Sequence, residues 1–266
     1  MLNLYFFIYS FSLFFEAKRL KVIPVIDILN GIVVHAIRGN RQEYKPLHSI
    51  FTGSIDPVEV ATVFKLQGFS TLYLADIDAI QGKKPCFKLY KHLVNIGFNL
   101  MVDAGVTDIQ TVKKLLKCGV SKVIVGTETL HSKIFLQNAI RQVGSDKIIV
   151  SFDMKNGKII IPQTFHESLS DSNDVDVFEL FEVFSTMGVS EFILLDLTRV
   201  GSAEGVNVEV LKKFLLSANC FYVGGGIRNI DDLLMLKELN VLGVLTATAL
   251  HLGKICVNDL KVANLL

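Results

Sequence analysis

The stretch VIPVIDILNG (22–31) returns as IIVSFDMKNG (148–157), with an Asp and a following Asn-Gly at matching places. Three further pairs repeat in the same order and at nearly the same interval. They are GFSTLYLADI (68–77) with GVSEFILLDL (188–197), VDAGVTDI (102–109) with VGGGIRNI (223–230), and KVIVGT (122–127) with GVLTAT (243–248). Similarity at a steady interval is the mark of an internal repeat. Because each half contributes four such segments, the sequence predicts two matched halves.

The repeated segments have the composition of buried parallel strands, because they are nearly continuous in apolar residues rather than alternating. Eight strands are predicted, namely KVIPVID (21–27), TLYLAD (71–76), NLMVDA (99–104), KVIVGT (122–127), KIIVSFD (147–153), EFILLD (191–196), CFYVGG (220–225) and LGVLTA (242–247). Amphipathic segments between them predict helices at 56–68, 107–119, 176–188 and 229–240. The alternation predicts an α/β fold, a (β/α)8 TIM barrel forming one domain over residues 20–266. A doubly wound open sheet is the alternative.

The amino-acid composition indicates which binding partners and which cellular compartment are expected. Half of the 266 residues are hydrophobic, which allows a large core. There are 27 basic and 26 acidic residues without a dense basic run, so no nucleic-acid partner is expected. The four cysteines form no CxxC or Cys/His cluster, which argues against structural zinc and disulfides and favours the reducing cytoplasm. The oligomeric state is left open.

An apolar N-terminal extension, residues 1–19, precedes the first predicted strand. Its run MLNLYFFIYSFSLFF (1–15) is shorter than the roughly 20 apolar residues of a membrane span, so no span is expected. A signal peptide carries its positive charge before the apolar run, whereas Lys18 and Arg19 follow it here. Three interpretations stay open: a start codon assigned too far upstream, a membrane-associating extension, and an additional packing segment.

Two aspartates occupy matching places in the repeat. Asp27 and Asp153 each end a predicted strand, one in each half. In (β/α)8 barrels the active site lies at the carboxyl ends of the strands, so both side chains are expected at the same mouth. Two carboxyl groups facing one substrate can act as general base and general acid when their surroundings separate their pKa values. The alternative is that each Asp caps the turn that follows it.

A glycine-rich turn after the seventh strand is the second candidate site. Gly224, Gly225 and Gly226 follow a strand and precede a helix, so their backbone N–H groups can cradle a phosphate. Arg228, two residues further on, can add positive charge. The alternative is a tight turn without a ligand. The predicted ligand is a small phosphorylated metabolite.

Weaker phosphate signals lie at three other strand ends. Gly126 and Thr127 end the fourth strand, and Thr248 stands at the matching place in the second half. Gly105 is the last residue of Asp-Ala-Gly, which replaces the triple glycine in the first half. Because Asp103 repels a phosphate unless a cation pairs with it, the sequence favours one phosphate site, at strands seven and eight, over two.

Several other polar residues have two interpretations. Asp76 and Asp196 are matched strand-end acids that either orient the main pair or make structural hydrogen bonds. Arg38 and Arg41 lie after the first strand in AIRGNRQEY (36–44), either in a mobile loop over the mouth or on the solvated surface.

The segments VIPVIDILNGIVV (22–34) and LADIDAIQG (74–82) resemble the HisA/HisF histidine-biosynthesis barrels, and the HisA isomerase branch more than the HisF cyclase branch. The resemblance covers about residues 21–252. It implies a substrate with a phosphate at each end and an Amadori rearrangement of an aminoaldose to an aminoketose. By position it implies Asp27 as the base and Asp153 as the acid, with no metal or organic cofactor.

Three motifs depart from that resemblance. LDLTRVGS (195–202) has Leu195 in place of a Thr and Val200 in place of an Asp, DAGVT (103–107) stands for GGGIR, and TATA (246–249) stands for VGRA. Both aspartates are retained while three substrate-contacting motifs differ. The pattern favours a paralogue that acts on a different phosphorylated substrate. The histidine-pathway intermediate itself is the other candidate substrate. Alternatives are another proton-transfer or condensation reaction in cofactor synthesis, and a non-catalytic phosphometabolite-binding barrel.

Overall fold

A computed structural model describes residues 20–166, 176–215 and 220–266. The predicted extension at residues 1–19 lies outside the described residues. The strands, in chain order, are β1 Lys21–Leu29, β2 Ile32–His35, β3 Lys45–Pro46, β4 Thr71–Asp76, β5 Asn99–Asp103, β6 Lys122–Gly126, β7 Ile148–Lys155, β8 Lys158–Ile159, β9 Glu191–Asp196, β10 Cys220–Gly224 and β11 Gly243–Thr246. Eight of them coincide with the predicted strands to within two residues at either end.

The sheet closes on itself. Its hydrogen-bonded order is β1, β4, β5, β6, β7, β9, β10 and β11, and β11 pairs back onto β1 in parallel, with Lys21 opposite Gly243. All neighbouring pairs on this path are parallel. The (β/α)8 barrel is therefore confirmed, and the open-sheet alternative is wrong because an open sheet leaves its first and last strands unpaired.

Helices follow the barrel strands. They are α1 Pro57–Gln67, α2 Ile77–Ile80, α3 Phe87–Asn95, α4 Ile109–Lys117, α5 Lys133–Val143, α6 Gln163–His166, α7 Val177–Thr186, α8 Val208–Phe214, α9 Ile230–Glu238, α10 Thr248–His251 and α11 Val257–Val262. Most of the longer ones start at a side-chain cap; Asp56, for example, accepts the N–H groups of Val58 and Glu59 at the start of α1. No helix in the described part of the chain has the length and apolar character needed to cross a membrane.

The core has two layers separated by the sheet. Inside the barrel, each of the eight barrel strands contributes at least one side chain to an apolar cluster, which includes Ile23, Tyr73, Met101, Ile124, Ile149, Ile193, Tyr222 and Leu245. Outside it, the alternate strand residues pack against the helices, and buried phenylalanines gather around Phe181 and Phe192, whose ring centroids are 5.1 Å apart. Because side chains alternate between the two faces of a strand, this inner layer fixes which later residues point into the mouth.

Two hairpins extend the barrel strands beyond their predicted ends. Asn30 and Gly31 both have positive φ, and so do Asn156 and Gly157, as the two central residues of tight hairpin turns require. β1 therefore continues to Leu29 and pairs with β2, while β7 pairs with β8. Asn30-Gly31 and Asn156-Gly157 are thus each a hairpin turn. Each turn folds the chain back beside the strand segment that carries one of the two aspartates.

Candidate active site

A cavity of about 240 Å³ opens at the carboxyl ends of the barrel strands. It is lined by residues at or just beyond the ends of all eight strands, among them Asp27, Ala75, Asp103, Glu128, Asp153, Leu195, Gly224 and Thr246. The strand period of two places these positions on the inner face; Asp27 is four residues beyond Ile23 and Asp153 is four beyond Ile149. The matched aspartates therefore share one cavity.

Asp27 presents a carboxylate without a partner. Its oxygens accept no hydrogen bond from any residue in the described ranges, and the side chain lines the cavity. Burial raises the pKa of Asp27 from 3.8 to about 7. Burial is the main reason why the pKa values of the Tyr44 and Tyr73 phenols are raised. The negative charge of the nearby Asp27 carboxylate adds to both increases. A carboxyl group in this state can take up a proton near neutral pH.

Asp153 is held in place from several sides. The Ser151 hydroxyl donates to its Oδ1 at 2.9 Å and the Glu128 N–H donates to its Oδ2 at 3.3 Å. The Asp153 N–H donates to the Thr127 hydroxyl at 3.1 Å. Burial, followed by the charge of Asp103, raises the pKa of Asp153 to about 8, although both hydrogen bonds to the carboxylate act in the opposite direction. Asp153 is therefore mostly protonated at neutral pH.

Asp103 adds a third carboxyl group, one that the sequence interpretation treated only as an obstacle to phosphate. It is 8% exposed, lines the cavity, and accepts the Gly105 N–H through Oδ1 at 3.1 Å. Burial raises its pKa to about 7, and the hydrogen bond from Gly105 acts against that rise. The signal that could have found Asp103 is its position two residues after Met101, on the inner face of β5.

Gly126 makes room for two of these carboxyl groups. A Cβ placed on Gly126 would lie 2.8 Å from Oδ2 of Asp153 and 3.5 Å from Oδ2 of Asp103. Thr127 is fully buried and supports the Asp153 backbone. Neither Gly126 nor Thr127 belongs to the cavity lining. The structure places both residues beneath the carboxyl groups. The Asp153 carboxyl group lies between them and the cavity, so it blocks the contact with a phosphate that was predicted for them.

The predicted glycine turn does line the cavity. A Cβ on Gly225 would lie 2.3 Å from the carbonyl oxygen of Asp196, and one on Gly226 would lie 2.3 Å from that of Gly205. Both residues have positive φ. Gly224 leaves room for Leu195, whose Cδ1 would be 2.8 Å from an added Cβ. Close backbone packing explains these glycines, and the N–H groups of Gly225 and Gly226 donate no hydrogen bond to any described residue.

Thr248 also lies at this side of the mouth. Its hydroxyl and Nε2 of His35 are hydrogen-bonded at 2.9 Å, and both residues line the cavity. His251, beside them, is hydrogen-bonded to Ser49 at 2.9 Å. Burial lowers the pKa of His35 and, together with the charge of His35, lowers that of His251 to about 4. Both imidazoles are therefore neutral hydrogen-bonding groups at neutral pH.

Arg228 and Gly105 are not brought to the cavity lining. The guanidinium of Arg228 binds the buried carboxylate of Asp232 in two places, with Nη2 at 2.6 Å and Nε at 3.0 Å. The positive charge of Arg228 is paired with Asp232, so Arg228 does not supply the free cation predicted for the phosphate site. Gly105 packs against the next loop, where an added Cβ would lie 2.7 Å from Cα of Ile80.

Loops cover part of the mouth. Arg41, from the loop after β2, makes two hydrogen bonds to the Glu128 carboxylate at 2.7 and 2.8 Å, and both residues line the cavity. Arg38 reaches Glu204 at 2.5 Å between exposed side chains. Arg41 therefore lies at the mouth, and Arg38 lies on the exposed surface.

Asp76 has the structural role considered for it. Its carboxylate accepts the Ala79 N–H at 3.0 Å and the hydroxyl of Tyr90, and the side chain is almost fully buried. Asp196 accepts the Thr198 N–H at 3.1 Å and pairs with Arg199. Neither acid lines the cavity.

Among the residues that the structure describes, no group of three His, Cys, Asp or Glu side chains is arranged to hold a metal ion.

A closed parallel barrel with carboxyl groups and a glycine turn at its strand ends belongs to the (β/α)8 class that carries its sites in the mouth. The chain is a member of the family described as histidine biosynthesis protein, whose sequence model matches residues 21–256. Membership was predicted from the motifs and is confirmed.

Individual relatives agree with the family assignment. An uncharacterized protein of Methanocaldococcus jannaschii is 38% identical over 88% of this chain and 94% of its own length. A 1-(5-phosphoribosyl)-5-((5-phosphoribosylamino)methylideneamino) imidazole-4-carboxamide isomerase of Clostridium botulinum is 28% identical, covering 91% and 97% of the two chains. The enzyme of that name in Clostridium kluyveri is 30% identical, covering 86% and 93%.

Proposed function

We propose that this protein isomerises a phosphorylated aminosugar, converting an aminoaldose to an aminoketose, with Asp27 as general base and Asp153 as general acid. The observation that carries the proposal is that the two residues share one cavity in different states. Asp27 is unpartnered within the described residues, whereas Asp153 is fixed by Ser151 and by the Glu128 N–H. The family membership and the isomerase names of several relatives support the same reaction class.

The reaction needs one acid and one base. Protonated Asp153 donates to the sugar ring oxygen while the C1–O bond breaks and the nitrogen lone pair forms a C1=N bond. Ionised Asp27 then removes the C2 proton, which leaves a neutral enaminol. Asp27 exchanges that proton with water in the cavity and then protonates C1, and the enol O–H proton passes to Asp153. C2 becomes a carbonyl, C1 becomes CH2, and both residues regain their starting states with no co-reactant.

The electrostatics support this division of roles. Burial raises the pKa of Asp27 to about 7, and burial with the Asp103 charge raises the pKa of Asp153 to about 8. Between these values the first group is partly ionised and the second is mostly protonated. Acid and base of this kind work best when their pKa values lie close to the working pH. An ordinary Asp, with a pKa near 3.9, would not be available as an acid.

Phosphate binding is assigned to the opposite side of the mouth from the Asp103–Asp153 pair. The turn Gly224–Gly226 and Thr248 line the cavity at β10 and β11. The N–H of Gly226 donates no hydrogen bond to any residue in the described ranges, and Thr248 offers its hydroxyl beside His35. Backbone N–H groups and hydroxyls of this kind bind phosphate oxygens without a cation.

The proposal is tested by incubating the full-length chain with each of two substrates in deuterated water and following the product by proton NMR. The substrates are an N-substituted ribosylamine 5-phosphate and the substrate named for the clostridial isomerases. We expect turnover of at least one, with deuterium at C1, and a kcat reduced about 10²–10⁴-fold in Asp27→Asn and in Asp153→Asn. Asp259→Asn, at an exposed helix position, is the matched control.

Two results would contradict the proposal. The first is a folded chain that binds a sugar phosphate but turns over neither substrate, which is the behaviour of a non-catalytic binding barrel. The second is turnover that survives Asp27→Asn, which would leave the proton at C2 without its base.

A further inference from the structure

The N–H group that would bind a phosphate in the first half of the barrel is already occupied by an anion of the chain itself. In the sequence alignment of VDAGVTDI with VGGGIRNI, Gly105 matches Gly226. The Gly226 N–H has no acceptor within the described residues, whereas the Gly105 N–H donates to Oδ1 of Asp103 at 3.1 Å. The Asp103 carboxylate thus stands where a phosphate oxygen would otherwise accept.

The charges around Asp103 oppose a second anion. Among the described residues, four acidic side chains line the cavity, namely Asp27, Asp103, Glu128 and Asp153. The cationic side chains that the structure describes in the lining are Arg41, which is hydrogen-bonded to both Glu128 oxygens, and Lys155, which is exposed at the end of β7. A phosphate carries up to two negative charges, and like charges at this range cost binding energy even in a partly hydrated site.

The β10–β11 side has the opposite character. Its lining residues are the glycine turn, Thr246, Thr248 and the neutral His35, with no acidic side chain among those that the structure describes there. Hydrogen-bond donors without a competing carboxylate suit a phosphate. The β10–β11 side of the cavity is therefore suited to a phosphate, whereas the side at Asp103 disfavours one.

Asp103 also has an oxygen to offer. The residue is more than nine-tenths buried, and its Oδ2 accepts no hydrogen bond from the described part of the chain. No fully buried side-chain oxygen or nitrogen among the described residues lacks a partner, so this oxygen opens to the cavity. An acceptor in that position suits a hydroxyl or amino group of a ligand.

We propose that the site takes a substrate with a single phosphate, held at the β10–β11 side, and that Asp103 receives a hydroxyl or amino group at the other end. This rests on the proposed function only in that the ligand is a phosphorylated sugar. It separates this chain from relatives whose printed name contains two phosphoribosyl groups.

Two probes that differ by one phosphate test the inference. Isothermal titration calorimetry at about pH 8, above the pKa of about 7 for Asp103, would measure Kd for ribulose 5-phosphate and ribulose 1,5-bisphosphate. We expect the full-length chain to bind the monophosphate at least about tenfold more tightly. In Asp103→Asn we expect bisphosphate affinity to rise about tenfold and monophosphate affinity to change less than about threefold.

A second acid-to-amide change separates the local effect from net charge. Glu179→Gln, at an exposed position of α7, should leave both affinities unchanged. Tighter or equal binding of the bisphosphate by the unmodified chain would overturn the inference, as would an affinity ratio that Asp103→Asn does not move. Binding of neither sugar overturns it as well, because the β10–β11 phosphate site is then absent. These are equilibrium measurements, so a lack of turnover would refute the proposed isomerisation and leave the affinity ratio standing.

Discussion

Asp103 and Asp153 bring their carboxyl groups together over the bare Cα of Gly126. Their Oδ2 atoms lie 3.5 and 2.8 Å from the point where a Cβ on that glycine would stand. The charge of Asp103 is the largest electrostatic contribution to the raised pKa of Asp153. Burial and, after it, this neighbour on the next strand but one therefore favour the protonated form of the proposed acid, and a glycine on the strand between the two aspartates provides the space.

Gly126→Ala is expected to damage activity more than stability. The backbone at Gly126 is extended, so alanine fits its φ and ψ, but the new methyl group forces the Asp153 carboxylate to rotate away from the Glu128 N–H. A shift of about 1 Å at a catalytic group can cost about 10²-fold in rate. We expect kcat to fall about 10–100-fold with a loss of about 1–2 kcal/mol in the free energy of unfolding.

Gly53→Ala is the control for that substitution, because an added Cβ at Gly53 meets no atom within 4 Å and its φ is not positive. Activity assays and urea unfolding of both variants decide the matter. An unchanged kcat in Gly126→Ala would show that the position of Asp153 does not limit the reaction.

The pH dependence of activity should follow the two aspartates. Activity needs Asp27 ionised and Asp153 protonated, so kcat/KM is expected to rise through about pH 7 and fall through about pH 8. Asp103→Asn removes a negative charge that disfavours ionised Asp153, which lowers the Asp153 pKa. The alkaline limb should therefore move to lower pH, while the acid limb keeps its place. An alkaline limb that stays fixed or moves upward would contradict the assigned electrostatic role.

Stability should depend on pH through the same buried acids. The Asp103 pKa is raised from 3.8 to about 7 in the folded chain, so its contribution to stability is complete below about pH 4 and is lost as the pH rises through about 7. Asp103→Asn cannot ionise. We expect the variant to gain about 1–3 kcal/mol over the unmodified chain between about pH 4 and pH 8, measured by urea unfolding.

Glu179→Gln, which removes an exposed charge, should show no such gain. If Asp103→Asn lost stability relative to the unmodified chain as the pH rose, the carboxyl group would have to be stabilised in its ionised form.

Thr248→Val should weaken phosphate binding. The substitution keeps the side-chain shape but removes the hydroxyl that lies beside His35 at the β10–β11 side. Loss of one hydrogen bond to a charged group costs about 1.5–3 kcal/mol, so we expect Kd for ribulose 5-phosphate to rise about tenfold or more. Thr62→Val, at an exposed position of α1, is the control. Equal affinities in the two variants would remove Thr248 from the phosphate site.

The matched Asn-Gly pairs show how far local signals reach. Asn30-Gly31 and Asn156-Gly157 indicated turns, and the hairpins that they form extend β1 and β7 past the aspartates. A turn of this kind depends on backbone preferences of the residues themselves, so it is visible in sequence. Its role in prolonging a barrel strand depends on a pairing partner and was not predicted.

Arg228 shows where sequence reasoning stops. Its place after the glycine turn predicted a cation for phosphate, but Asp232 lies one helical turn further on and engages the guanidinium first. Glycine positions gave a similar result, since the Asp153 carboxylate covers Gly126 from the cavity side. Whether a loop charge faces a ligand or a neighbour is decided by side-chain geometry that spacing alone does not contain.

The eight strands, the barrel and the common mouth of Asp27 and Asp153 could be predicted from the sequence, because apolar runs and strand period are local properties that repeat along the chain. Three contacts became visible only in the folded barrel, namely that of Asp103 with Asp153 across Gly126, the hydrogen bond from the Gly105 N–H to Asp103, and the pairing of Arg228 with Asp232. Those contacts join residues on different strands, or across a folded loop. They depend on the register and closure of the sheet, which set distances between side chains that no local pattern encodes.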